Sequence, residues 1–98
     1  MPKMLCLDLD ETLLMPDLTI PAAVTDALRS LVRRGVVVTL ATGRMFPSAK
    51  KYADQIGLTA PLVVYNGAMI RAAGADRPLR FFPVAAESVR AIVDCRCV

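Results

Sequence analysis

The sequence contains no histidine, only three cysteines, and few aromatics, which make up 5% of its 98 residues. Three cysteines, an odd number, do not make a disulfide framework. Cys6 lies within an apolar strand and reads as a small buried hydrophobe. Cys95 and Cys97 are spaced C-x-C, but without an imidazole or a second cysteine pair they cannot complete a zinc site. They read as two thiols on a frayed terminus. The shortage of aromatics leaves no stacking platforms for nucleic acid. The 12 Lys and Arg are scattered from Lys3 to Arg96, adjacent only at Arg33-Arg34 and Lys50-Lys51, so the net charge of +3 makes no basic patch. Long hydrophobic runs are also missing. Val36 to Ala41 is broken by Thr39 and falls far below the roughly 20 residues a spanning helix needs. The apolar run after Lys3 meets Asp8 too soon for a secretory signal. These absences predict a soluble, cytoplasmic chain with neither a nucleic-acid nor a membrane partner.

What remains is apolar for its size: 55% hydrophobic against 21% charged, enough for one core and too much for a disordered chain. Lys3 to Leu9 reads as a strand buried on both faces, as in a parallel sheet. Glu11 to Thr19, carrying Pro16, reads as a loop. Pro21 suits a first helical turn, and Val24, Ala27, Leu28, Leu31 and Val32 follow at helical spacing until Gly35 stops the helix. A second strand, Val36 to Ala41, leads through Thr42-Gly43-Arg44 to a helix opened by Pro47 and Ser48. Its inward face is Ala49, Tyr52, Ala53 and Ile56, and Gly57 closes it. Leu62 to Tyr65 is a third strand, and Asn66-Gly67 is a turn. Ala68 to Arg71 and Leu79 to Phe82 form a hairpin around Gly74, and a last helix from near Val84 carries Val89, Ile92 and Val93 on one face. The order β-α-β-α-β, then hairpin and helix, predicts an α/β fold with a parallel sheet and right-handed crossovers.

In open α/β sheets ligands bind beyond the carboxyl ends of the strands. The first strand ends in Asp8-Leu9-Asp10-Glu11-Thr12, the second in Thr42-Gly43-Arg44, the third in Asn66-Gly67. Three acids after a buried strand repel one another unless a cation or ligand offsets them. A hard cation on oxygen ligands, Mg²⁺, is the natural compensation. Asp8 and Asp10, two apart, share a strand face as far as the extended conformation persists. One carboxylate can attack phosphorus and the other can carry protons. The Thr42 hydroxyl and the Gly43 N–H are donors for phosphoryl oxygens, and Arg44 adds a fixed positive charge.

Cys6-Leu7-Asp8-Leu9-Asp10-Glu11-Thr12-Leu13-Leu14 resembles the first motif of the haloacid dehalogenase-like (HAD) hydrolases, a hydrophobic strand followed by D-x-D-x-T-L-L. Val37 to Arg44 resembles the second motif in its A-T-G-R form, and Val64-Tyr65-Asn66-Gly67-Ala68 adds a likeness to the Cof-type, sugar-phosphatase-like branch. The resemblance implies a truncated Rossmann-like core over residues 1–67 and the start of a cap region, hairpin and helix, over 68–98. It implies Mg²⁺-dependent hydrolysis of a small phosphorylated metabolite through a phospho-aspartate. By position, Asp8 is the nucleophile and a metal ligand. Asp10 is the general acid/base and binds the metal through its main-chain carbonyl. Thr42 and Gly43 hold the phosphoryl group, and Arg44 and Asn66 lie near the substrate.

Two departures stand out. Glu11 occupies a position where the family often has glycine. The family's third motif, a Lys, and its fourth, an acidic cluster, lie downstream of the cap and have no counterpart here; Lys50 and Lys51 read as solvent face. The alternatives are therefore a phosphatase present as its N-terminal portion and inactive alone, a non-catalytic remnant keeping the phosphate and metal loop, or, within the family, a phosphomutase. Without the strand that pairs beside it, Lys3 to Leu9 has an open edge, which predicts self-association.

Overall fold

A computed structural model describes residues 3–95. Five short strands and three helices follow one another as β1 (Met4–Leu7), α1 (Ala22–Arg33), β2 (Val37–Leu40), α2 (Phe46–Ile56), β3 (Pro61–Val64), β4 (Met69–Ala72), β5 (Arg80–Phe81) and α3 (Ala86–Asp94). This is the order read from the sequence. β1 and β2 pair in parallel, Met4 opposite Val37 through Leu7 opposite Leu40. One further parallel bridge, Ala41 to Val63, joins β2 to β3. β3 then pairs antiparallel with β4, and β4 with β5. The Asn66-Gly67 turn thus folds the chain straight back along β3, and β3 belongs to both the parallel and the antiparallel arrangement.

The helices pack as their periodicity requires. α1 and α2 touch each other and both contact β2. All four residues expected on the inward face of α2 are buried, Ala49, Tyr52, Ala53 and Ile56, joined by Phe46 at its start. On α1 the buried stripe takes in Thr25 and Leu28 and leaves Ala27 exposed. Gly35 (φ 87°) and Gly57 (φ 85°) end the two helices in the left-handed region that glycine enters without steric cost. Leu40, Leu62 and Val64 from β2 and β3 close the core, each fully buried.

Three expectations are corrected. β1 is not buried on both faces: Met4 and Cys6 are exposed, while Leu5 and Leu7 pack on the core. Among the described residues β1 pairs only with β2, so it is an edge strand with one covered face. Cys6 is accordingly an exposed free thiol. Cys95 is disulfide-bonded, not a terminal thiol; Cys97 lies outside the described residues. The apolar face of α3 is present but uncovered: Val89, Ile92 and Val93 are exposed, with Leu79, Phe81, Phe82 and Val84 beside them in sequence. No helix among the described residues is long and apolar enough to cross a membrane.

Candidate active site at the strand ends

Asp8 follows β1 in extended conformation (φ −80°, ψ 153°) and its Oδ1 accepts the Leu9 N–H at 2.9 Å. Leu9 to Leu13 then form a single widened turn of the π kind, closed by the Leu14 N–H donating to the Leu9 carbonyl at 2.9 Å. Inside it Asp10 stays extended (φ −68°, ψ 132°) and Glu11 turns left-handed (φ 61°). Leu9 is fully buried between exposed Asp8 and Asp10. The out-in-out alternation of a strand therefore outlasts the strand's pairing, and both carboxylates face outward as their spacing predicts.

The second loop is tied to the third strand. The Thr42 N–H donates to the Val63 carbonyl at 2.9 Å, and the Asn66 N–H donates to the Thr42 carbonyl at 3.1 Å. The Thr42 side chain is buried, and its Oγ1 accepts the Arg44 N–H at 3.0 Å. With that lone pair engaged from the Arg44 side, the hydroxyl proton is free to be donated to an anion.

These loops enclose a cleft of about 420 Å³ lined by Asp8, Ala41, Thr42, Gly43, Val63, Asn66 and Gly67. Four of the six residues singled out from the sequence, Asp8, Thr42, Gly43 and Asn66, thus face one space. The other two face each other. The Arg44 guanidinium grips Asp10 with both arms, Nε to Oδ2 at 2.9 Å and Nη2 to Oδ1 at 2.7 Å. Its Nη1 donates to Ser48 Oγ at 2.8 Å, and its Cζ stands 5.5 Å from the Tyr52 ring centroid. The bidentate hydrogen bonds from Arg44 hold the Asp10 carboxyl below the usual carboxylate range, and Asp10 in turn raises the Arg44 guanidinium. Asp10 also borders a second cleft of about 560 Å³ with Glu11, Leu14, Met15, Pro16 and Leu18.

Sequence reading took Ser48 only as a helix opener and missed its bond to Arg44 and the second use of Tyr52. No sequence signal was available for the first, because Arg44 lies in the loop before α2 and no helical spacing relates it to Ser48. Tyr52 was legible as core; its hydroxyl donating to the Leu18 carbonyl at 2.9 Å, 34 residues away, was not.

The two groups expected to hold a cation both offer oxygen; the Asp8 carboxylate lines the first cleft, while Asp10 borders the second. No group of three His, Cys, Asp or Glu side chains gathers among the described residues. A cation bound through one or two carboxylates and otherwise kept hydrated fits this donor set, which is the habit of Mg²⁺.

Comparison with known proteins agrees with the geometry. Residues 5–96 match the haloacid dehalogenase-like hydrolases. The chain is similar to the 5-amino-6-(5-phospho-D-ribitylamino)uracil phosphatase YitU of Bacillus subtilis, 39% identical over 69 residues, covering 70% of this chain and 26% of that protein. It is similar to the HMP-PP phosphatase of Serratia proteamaculans, 37% identical over 70 residues, covering 71% and 26%. Among solved structures, a phosphatase of the haloalkanoate (HAD) enzyme superfamily from Bacteroides thetaiotaomicron superposes with a TM-score of 0.82 at 26% identity, covering 97% of this chain and 35% of that one. The chain spans about a quarter of the length of the two curated relatives named. With 92 of its 98 positions inside the family match and its acid and A-T-G-R motifs on adjacent strand ends, the chain belongs to the haloacid dehalogenase-like hydrolases.

Proposed function

We propose that the protein contributes the nucleophile and the phosphate loop of a Mg²⁺-dependent phosphatase acting on a small phosphate monoester. The observation that carries this reading is the cleft in which Asp8 meets Thr42, Gly43 and Asn66 at the carboxyl ends of three strands. A carboxylate oxygen of Asp8 attacks phosphorus and the ester P–O bond breaks, leaving an aspartyl phosphate and an alkoxide that takes a proton from Asp10. Water then attacks that phosphorus, gives its proton to Asp10, and inorganic phosphate leaves with Asp8 restored. Thr42 Oγ1 and the Gly43 N–H donate to the phosphoryl oxygens throughout. Mg²⁺, held by the Asp8 carboxylate and the Asp10 carbonyl, would supply charge neutralisation between nucleophile and phosphate.

Asp10 gains its first role only by leaving Arg44. Held ionised by the guanidinium, it is set as a base for the water step; donating a proton requires that the pair open. Arg44 is then free to turn to the phosphate, to which its fork is suited.

The test is hydrolysis of p-nitrophenyl phosphate with Mg²⁺, by this chain and by any longer product of its gene, each with an Asp8→Asn control. Activity that survives Asp8→Asn overturns the assignment. For the 98 residues alone we expect binding with little turnover, because among the described residues no lysine lines the cleft. Lys50 is paired with Asp54 at 2.6 Å, and Lys51 is exposed beside the Tyr52 ring. Each missing element of electrostatic stabilisation costs about 3–4 kcal/mol of barrier. The second reading, a remnant, expects a longer product of the gene to bind without turning over as well, and the same assay on that product separates the two.

A further inference from the structure

Gly43 is not a glycine for the sake of its backbone angles, since it is absent from the glycines with positive φ. It is a glycine for room. A Cβ built there would lie 2.8 Å from Asn66 Oδ1 and 3.3 Å from both Cγ and Nδ2. The Asn66 amide group therefore occupies the space that any side chain at position 43 would need. Asn66 reaches that place through a backbone in the left-handed region (φ 55°, ψ 35°), where asparagine is among the few non-glycine residues tolerated. The residue before it, Tyr65, is left-handed too (φ 52°), a costly conformation for a bulky side chain. Two hydrogen bonds hold this segment onto the second loop: Tyr65 N–H to the Arg44 carbonyl at 3.0 Å, and Asn66 N–H to the Thr42 carbonyl. β2 and β3 share a single bridge, so these bonds extend their pairing into the cleft wall. The Asn66 side chain makes no hydrogen bond among the described residues, so packing against Gly43 is its visible engagement.

We infer that Asn66 is a positioning residue for the Gly43 amide: its side chain, filling the space where a side chain of residue 43 would stand, fixes where that N–H stands in the cleft that Asp8 also lines. The inference rests on the phosphate reading for what the N–H serves, but the contact can be tested without it. Gly43→Ala should lower the melting midpoint by a small but measurable amount in the wild-type chain, because the exposed Asn66 side chain can swing aside at modest cost, and leave it unchanged in an Asn66→Gly background, where the obstruction is gone. Equal effects of Gly43→Ala in both backgrounds would overturn the contact. The positioning role is read by titrating the chain with inorganic phosphate, with and without Mg²⁺, while following the Gly43 amide in ¹⁵N–¹H spectra. Asn66→Gly, whose backbone tolerates the left-handed region at least as well, should keep its melting midpoint and bind phosphate about fivefold more weakly, the worth of one neutral hydrogen bond. The double variant Gly43→Ala/Asn66→Gly moves the space-filling group from one loop to the other and should recover most of that affinity. Wild-type affinity in Asn66→Gly overturns the inference. So does a double variant as weak as Asn66→Gly, because Asn66 would then act through its own hydrogen bond to the anion. If the wild-type chain binds no phosphate, the functional reading fails, and the thermal comparison still decides the contact.

Discussion

Replacing Leu9 by alanine tests how the two carboxylates are presented. Leu9 is 0% exposed, and its neighbours on either side are the outward-facing acids. Its backbone bonds, N–H to Asp8 Oδ1 and carbonyl from the Leu14 N–H, survive the substitution, so the loss is one of side-chain burial alone. Fully buried leucines cost about 2.7–5.0 kcal/mol on truncation, the lower values where the site can collapse. Leu9 sits in a turn against an edge strand, where Leu13 and Leu14 can close in, so a cost of about 3 kcal/mol is expected. Against a total of roughly 5–15 kcal/mol for a domain of this size, that removes a fifth or more of the stability. With a urea slope of about 1–3 kcal/mol/M, the unfolding midpoint falls by roughly 1–3 M. Urea titration followed by far-ultraviolet circular dichroism measures it, with Met4→Ala, on the exposed side of β1, as the control expected to stay within about 0.5 kcal/mol. A cost for Leu9→Ala below about 1 kcal/mol, indistinguishable from Met4→Ala, would refute the claim that a buried anchor sets the direction of Asp8 and Asp10.

Three further outcomes follow from the same contacts. Because Arg44 depresses the Asp10 carboxyl in the folded state, the stability their pair confers is present above the ordinary aspartate value of about 3.9 and lost as pH falls through the folded value. The difference in melting midpoint between wild type and Arg44→Gln should thus be open at neutral pH and closed in strong acid; an equal difference at both would refute the pairing. Tyr52→Phe deletes the hydroxyl's bond to the Leu18 carbonyl and should cost about 0.5–1 kcal/mol by urea titration, since exposed Leu18 can turn to water; a loss above about 2 kcal/mol would mean the hydroxyl carries more than this bond. We propose that the open edge of β1 drives association, so size-exclusion elution should move earlier as concentration rises, and a constant monomer across the range would count against it.

Element order, the α2 core face and the grouping of Asp8 with Thr42, Gly43 and Asn66 were legible because each rests on local pattern: period, caps, turn residues and strand-end position. What was not legible depends on partners in space. The burial of β1 read wrongly because an apolar strand says nothing of whether a neighbour stands on each side; here Cys6 faces outward. The apolar stripe of α3 was legible as a stripe, but its cover was not, and it stands exposed. The pairing of β3 with β4 hid behind a turn signal that fixes a reversal without naming the strands it joins. Glu11 is a different case. Its left-handed φ of 61° supplies the physical reason glycine is frequent there, and a non-glycine residue pays about 1–3 kcal/mol for that conformation.

The electrostatics of the acid cluster shift the argument for a cation onto one residue. From the sequence, Asp8, Asp10 and Glu11 together called for a positive charge. In the fold, Asp10 already has one, the bidentate Arg44, itself fixed by Ser48 and the Tyr52 ring. Glu11 is exposed with no partner among the described residues, so water solvates it and repulsion is cheap. Asp8 is the acid whose only hydrogen-bond partner among the described residues is the adjacent Leu9 N–H, and it lines the cleft with Thr42 and Gly43. A phosphate entering beside Thr42 and Gly43 would meet that carboxylate at short range, where the two negative charges repel. On the proposed reading Thr42 and Gly43 would supply only two neutral donors against that repulsion. Divalent cation should therefore matter more for phosphate binding than for the stability of the empty fold, and the requirement should shrink once Asp8 is replaced by asparagine.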